Sequence, residues 1–367
     1  MSEASAPRMG LCLGGGGITG AMYEVGCLAA LEDAFDGFRA TDFDVYVGAS
    51  TGSVVATALA GGLPAQRLYR ALLDPADDFF PLQRQHLLRF DGRELRRVWG
   101  SALGALRRLV GSVTTRPLDL DVWHELERFT DSLPAGLFTV DALERFLDSI
   151  LTRRGLPKTF AELRPRLMLV ANDLDRGQRA IFGIGAIDDV PIARALAASC
   201  AVPLLYAPVR IGDRDFVAGG LGETGHVDVA VELGCDLVLM LNAMVPVRVD
   251  TGARDVPTGH GPRRRVRDKG LLWVYNQSTR MVSQARLTHG LAAYRADHPD
   301  ASVLLLEPAP DDATMFMHSP MNFAVRRTIL EYGYTSTMKR LRLERAPIRE
   351  AFEARGLHMH AELLERG

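Results

Sequence analysis

The sequence predicts an α/β fold of three layers, α/β/α, with a mostly parallel central sheet. Two observations carry this. Short apolar runs at 9–13, 43–47, 167–170, 234–239 and 302–306 alternate with stretches of helical periodicity, the pattern of strand–helix–strand units. Two of the early runs end in small-residue turns, at 14–20 and 48–52, where a strand can pass into a helix with close backbone approach. At 367 residues with 47% hydrophobic content, the chain is long enough to bury one large core. In such a fold the site is expected at the carboxyl ends of the strands.

Residues 9–13 read as a strand, 14–20 as a glycine loop and 21–33 as a helix, with Val25, Leu28, Ala29 and Leu31 at helical spacing. Gly15, Gly17 and Gly20 satisfy G-x-G-x-x-G, so a dinucleotide loop is one reading. Against it, Asp42 and Asp44 precede the next strand instead of closing it, and the lysine of a phosphate-gripping loop is absent. The other use of a bare glycine loop is an oxyanion hole, with the N–H groups of Gly15, Gly16 and Gly17 as donors.

Residues 43–47 read as a buried strand, and 48–52 form a G-x-S-x-G elbow followed by a helix of small residues. At such an elbow the serine sits on a strained turn with its hydroxyl thrust out above the sheet. Gly48 and Gly52 let strand and helix close on each other. Ser50 is the candidate nucleophile.

Composition narrows the alternatives. A net charge of −2 gives no general nucleic-acid footprint. Cys12, Cys27, Cys200 and Cys235 lack C-x-x-C spacing and sit in apolar surroundings, so buried free thiols are expected and a zinc site is not. No metal or cofactor is expected. The first residues, MSEASAPR, carry no apolar signal region, and no apolar run is long enough to cross a bilayer. The expected location is cytoplasmic, with membrane contact, if any, peripheral.

The strings LGGGGITG and GASTG stand about thirty residues apart with a helix between them. In that order they resemble the patatin-like phospholipases, serine acylhydrolases with a Ser–Asp dyad. The resemblance runs on through Ala171-Asn172-Asp173-Leu174 with Gly177, through 197–203 and through 234–239, covering about residues 8–245. It implies a patatin-like fold and hydrolysis of a carboxylic ester with an acyl chain. Phospholipid, lysophospholipid, acylglycerol, acyl-thioester and polyester oligomer all fit that dyad. The activity would be of the phospholipase, lipase or esterase type, without metal.

Two positions depart from the family pattern. Thr19 stands where the family usually has Arg or Lys. The dyad aspartate should begin D-G-G, yet the chain reads Val217-Ala218-Gly219-Gly220. Alanine cannot accept a proton. Three readings follow: an Asp→Ala form with impaired activity, a binding protein without chemistry, or a substitute base among Glu223, His226 and Asp228. His226 has the best intrinsic pKa for that task; its competing role is a solvated loop histidine, and that of Asp228 is a helix cap. The runner-up function is a catalytically silent lipid- or acyl-binding protein, and a nicotinamide-dependent oxidoreductase comes third.

The remaining segments divide as 1–73 and 137–249 for the core, 74–136 for a helical insertion, 250–270 for a mobile loop and 271–367 for a C-terminal helical extension. In the insertion, Leu95, Val98, Trp99, Leu103, Leu106 and Val110 recur at helical spacing beside Arg96, Arg97, Arg107 and Arg108. That pattern fits a lid or interfacial helix, and is the commoner signature of an amphipathic helix packed on the core with solvated arginines. Trp123 and His124 read as packing residues. Arg263, Arg264, Arg265 and Arg267 could grip phosphate head groups or simply be solvated. Met315, Phe316, Met317, Met321 and Phe323 form a soft apolar cluster.

Overall fold

A computed structural model describes residues 8–74, 76–87, 89–90, 135–220, 222, 225–248, 265–309, 314–343 and 346–364. The helical repeat at 93–111, Trp123, His124, Glu223, Arg263 and Arg264 lie outside the described residues.

The main sheet is built from β1 (Met9–Leu13), β2 (Val45–Ala49), β3 (Arg166–Asp173), β4 (Gln178–Phe182), β5 (Val209–Ile211), β6 (Arg214–Ala218), β7 (Leu237–Leu241) and β8 (Ser302–Leu306). Its order is β8-β7-β1-β2-β3-β6-β5, with β4 also on β3. The pairs β8–β7, β7–β1, β1–β2 and β2–β3 are parallel; those of β3 with β4 and β6, and of β6 with β5, are antiparallel. A small second sheet joins Arg89–Phe90, Gly136–Thr139 and Leu204–Tyr206.

Along the strands, side chains alternate between two apolar layers. Leu11, Tyr46, Leu169, Leu239 and Leu304 enter one, and Cys12, Val47, Val170, Val238 and Val303 the other. Both faces are therefore covered, as the continuous apolar runs require. The larger layer lies under α1 (Gly17–Ala34), α2 (Thr51–Ala60), α3 (Ala65–Leu73), α4 (Asp141–Arg154) and α5 (Ile192–Cys200). The other is closed by α6 (Val227–Glu232) and α7 (Leu271–Asp297).

Helix α8 (Arg326–Leu341) packs along α1. A Cβ on Gly26 would strike the Leu330 carbonyl, and one on Gly333 would lie 2.5 Å from that of Tyr23. The backbones meet there, and Tyr334 donates to Asp33 at 2.8 Å across the same seam. Residues 271–367 are thus more than a helical extension, because they supply β8 to the main sheet. Met315 and Phe316 are core residues. All four cysteines are free and buried. Among the described residues, no helix is long and apolar enough to cross a membrane.

Candidate active site

Strand β2 runs to Ala49, and Ser50 turns straight into α2. Its backbone has φ 52° and ψ −134°, a conformation that costs a non-glycine residue about 1–3 kcal/mol. The surroundings offset this by saturating the backbone. The Ser50 N–H donates to Ser199 Oγ at 2.9 Å, and that hydroxyl donates onward to the Val170 carbonyl at 2.7 Å. The Ser50 carbonyl accepts from the Ser53 N–H at 3.0 Å and from Cys200 Sγ at 3.3 Å. Only the side-chain hydroxyl is left, and it bonds to no described residue.

The glycine loop lies directly against this elbow. Gly15, Gly16 and Gly17 have φ of 70°, 119° and 73°, a run that glycine alone tolerates. A Cβ on Gly15 would lie 2.7 Å from the Ala49 carbonyl, and one on Gly52 2.5 Å from that of Leu13. Gly48 likewise faces Ser53 without room for a side chain. Thr51 Oγ1 donates to the Gly17 carbonyl at 2.7 Å, tying the two turns together.

The three glycine amides are not equivalent. That of Gly15 donates to Glu24 Oε1 at 2.7 Å, inside the core. It is engaged there and is withdrawn from the expected oxyanion donors. Those of Gly16 and Gly17 meet no described acceptor, and Gly17 opens α1, where the helix dipole favours negative charge. Glu24 itself is completely buried, and its Oε2 has no described partner. Burial raises its pKa from 4.5 to about 8, against the lowering effect of the Gly15 N–H. Thr19 is fully buried, its hydroxyl without a described partner and its N–H on the Pro320 carbonyl at 3.2 Å.

Position 218 reaches the same place from another direction. Gly48 and Leu169 pair on one edge of β3, while Leu169 and Phe182 pair on the other. Ala171 pairs with Ala180 of β4 on that other edge, so its partner Ala218 lies on the edge of β2. Ala49 is opposite Val170 and Ala218 opposite Ala171, one residue rise of about 3.4 Å along β3. Residue 218 therefore takes the edge that β2 vacates at Ser50. It is held by its N–H on the Ala201 carbonyl at 2.9 Å, and Asn172 Nδ2 donates to its carbonyl at 3.3 Å.

The two described candidates for a substitute base, His226 and Asp228, are already engaged. His226 is not a solvated loop residue: it is 2% exposed, with φ 65°. Its Nε2 meets the Gly220 carbonyl at 2.8 Å, which makes that nitrogen the N–H, and Arg179 Nη1 stands 3.4 Å from Nδ1. Arg179 grips Asp228 with both terminal nitrogens, at 2.6 and 3.2 Å. Asp228 lies inside the first turn of α6 rather than at its cap. Asp173 is held by Arg214 at 2.9 Å and by the N–H groups of Asp175 and Arg176. The histidine instead pins the loop that follows position 218. Burial lowers its pKa, so its neutral form stabilises the fold, and that stability is lost as pH falls below the ordinary 6.5. The variant His226→Ala is expected to lose about 1–3 kcal/mol through the unpaired Gly220 carbonyl, and His226→Gln to remove the acid-side loss; urea melts at pH 5 and 7.5 measure both.

An apolar cavity of about 70 Å³ adjoins the elbow and is lined by Ile18, Val54, Ala58, Leu72, Leu147 and Cys200 among others. Glu24 and Ser199 were not singled out by sequence reading. Glu24 was detectable as the single carboxylate in the apolar first four turns of α1, whereas Ser199 reaches the elbow only through tertiary packing. No group of three or more His, Cys, Asp or Glu suited to a metal occurs among the described residues.

The chain is similar to several known proteins. The uncharacterized protein YqhO of Bacillus subtilis (strain 168) is 24% identical over 219 residues, which cover 56% of this chain and 61% of that protein. The match thus spans about three fifths of that relative's length. Among solved structures, VipD from Legionella pneumophila aligns over 91% of this chain and 66% of its own, at 13% identity and TM-score 0.36. The type III effector protein ExoU aligns over 98% and 58%, at 15% identity and TM-score 0.34. The sequence profile of the patatin-like phospholipases matches residues 11–231, and the chain belongs to that family.

Proposed function

We propose that this is a lipid acyl-ester hydrolase site with Ser50 as nucleophile, Gly16 and Gly17 as oxyanion donors, and position 218 as the seat of the base. The observation that carries the reading is the elbow: the Ser50 backbone is fully bonded, its hydroxyl is unpartnered among the described residues, and two amides without a described acceptor lie beside it. With a carboxylate at 218, the base would take the Ser50 proton as Oγ attacks the ester carbonyl. The amides would hold the oxyanion, and the alcohol would leave with the proton. Water, activated by the same carboxylate, would then release the acid and regenerate the serine. No histidine or metal takes part. With Ala218 the nucleophile and oxyanion donors remain and the base is missing, a state in which serine hydrolases keep residual catalysis.

A fluorophosphonate probe tests the reading. It is expected to label Ser50 in this chain, slowly, and Ser50→Ala to abolish the labelling. Labelling at another residue, or none after prolonged exposure, would remove the nucleophile assignment. Ala218 itself favours a second reading, a silent acyl-binding protein. That reading expects fatty-acid binding by titration calorimetry together with no labelling of Ser50.

The cavity beside the elbow supports an acyl chain as the group it accepts, since its lining is apolar. Ala58→Phe would fill it. The expected result is a shift of preference toward shorter acyl chains by about tenfold, on the scale of 1–3 kcal/mol for one or two lost methylenes. A series of nitrophenyl esters, with an aspartate at 218 for sensitivity, measures it.

A further inference from the structure

Helix α7 is two-faced in an unusual sense. Its inward face carries Arg280, Leu287 and Leu291, all buried. At 100° per residue the opposite face carries Leu271, Val274, Tyr275 and Val282, with Met281 on its flank. These are exposed apolar residues: Leu271 is 83% exposed, Met281 57% and Val282 55%. They form a stripe along the first three turns, not scattered surface residues.

Within the helix itself, up to residue 296, the only formal charges are positive. Residues 271–296 contain no aspartate or glutamate, although the chain has 45 acids in 367 residues and about three would be expected in that length. Arg265 and Arg286 are exposed, their guanidinium groups without a carboxylate partner among the described residues, and Arg267 is exposed beside Asp268.

The stripe is also placed. Gln277 bonds both the N–H and the carbonyl of Val247, at 3.3 and 2.9 Å. Arg280 donates to the carbonyls of Ala243 and Val245, at 3.3 and 2.9 Å. That segment leaves the carboxyl end of β7, and Met244 within it packs on Gly16. The apolar half of α7 therefore stands at the same end of the sheet as Ser50 and the glycine loop.

We propose that the outer face of the first half of α7 is the surface by which this protein docks on an anionic lipid bilayer. Apolar side chains enter the acyl boundary, flanking arginines meet the phosphate groups, and residues 271–296 carry no carboxylate to be repelled; Asp268, just before them, is paired with Arg267. Docking there would present the elbow end of the sheet to the membrane. The inference rests on the acyl-lipid reading for its purpose and not for its test.

The test is co-sedimentation of the whole chain, with Ala218 and thus with little turnover, on phosphatidylcholine vesicles with and without phosphatidylglycerol. The chain is expected to bind the anionic vesicles, more weakly as salt rises, and to bind neutral ones at least about tenfold less. Val274→Glu combined with Val282→Glu is expected to weaken anionic binding by about tenfold or more. Ala296→Glu, on the same helix beyond the stripe, is expected to change it less than about twofold. If the double variant does not fold by circular dichroism, Tyr275→Ser replaces it, with a threefold or larger loss expected. Equal binding to both vesicle types, or anionic binding unchanged by the stripe variants, would overturn the proposal. So would a dimer by light scattering that the stripe variants split while vesicle binding persists, which would make the face a contact between copies. Fluorophosphonate labelling of Ser50 is read separately, so failure of the docking surface and failure of the hydrolase reading remain distinct.

Discussion

Placing an aspartate at position 218 is expected to raise hydrolysis of a short-chain nitrophenyl ester by about 10²–10⁴-fold over the chain with alanine there, the contribution of a positioned general base. The expectation rests on backbone geometry. Ala218 is opposite Ala171 on the edge of β3 where Ala49 is opposite Val170, so a side chain at 218 starts beside the turn that carries the hydroxyl. Its backbone is fixed on both sides, by the Ala201 carbonyl and by Asn172, so little ordering would be needed for a carboxylate there. Steady-state rates for Ala218→Asp, Ala218→Asn and Ala218→Asp with Ser50→Ala decide it. The asparagine and the double variant are expected to stay at the level of the alanine form. A chelator is expected to leave the rate of the Asp form unchanged. A rate for Ala218→Asp no higher than for Ala218→Asn would remove position 218 from the mechanism.

The second large effect concerns Glu24 and is one of stability. Its carboxyl is neutral in the folded protein up to about pH 8, whereas in the unfolded chain it ionises near 4.5. An acid with a raised folded pKa is favoured in the fold only while it keeps its proton. The unfolded state is therefore stabilised as pH rises through that window, and the fold loses stability from about pH 4.5 until the folded group ionises near 8. The full shift corresponds to an upper bound on the order of 4–5 kcal/mol. Glu24→Gln keeps an acceptor for the Gly15 N–H and cannot ionise, so it is expected to melt with little of this slope. Glu24→Leu would leave that N–H buried and unpaired, at a cost of about 1–3 kcal/mol. It is also expected to slow labelling of Ser50, because the loop that presents Gly16 and Gly17 loses its inner anchor. Urea melts at pH 5 and pH 8 on the three proteins measure the slope, and equal slopes in the native chain and the Glu24→Gln variant would contradict it.

The elbow and the glycine loop were legible because each is a local conformational demand: positive φ at 15–17 and a backbone contact at Gly52 leave few residue choices. The strands were legible as apolar runs, yet their ends were displaced. The β2 strand begins at Val45 and runs through Ala49, two residues beyond the expected 47, because a strand buried on both faces shows no alternation to mark where it stops. Nonlocal pairing was not legible. Nothing in the string Val217-Ala218-Gly219 says that β6 runs antiparallel into the edge left by β2. The sequence reading of His226 as solvated failed for a similar reason: its loop folds back so that the ring meets Gly220 and Arg179. Of the three amides expected as oxyanion donors, that of Gly15 is taken by Glu24, the eighth residue of α1, whose meaning depends on the side chain turning backward into the core.

Strand β7 has a practical consequence for anyone who would shorten this protein. The span recognisable from relatives stops at residue 231, but β1 is flanked along its whole length by Leu237–Leu241, and the Gly14 N–H is capped by the Leu241 carbonyl. An excised fragment ending near 231 would open the middle of the sheet rather than trim its margin. It would bare a ladder of unpaired amides and an oily flank at the very strand that delivers the glycines. Such a piece is a candidate for inclusion bodies, and its failure in an assay would say nothing about the chemistry of the intact chain.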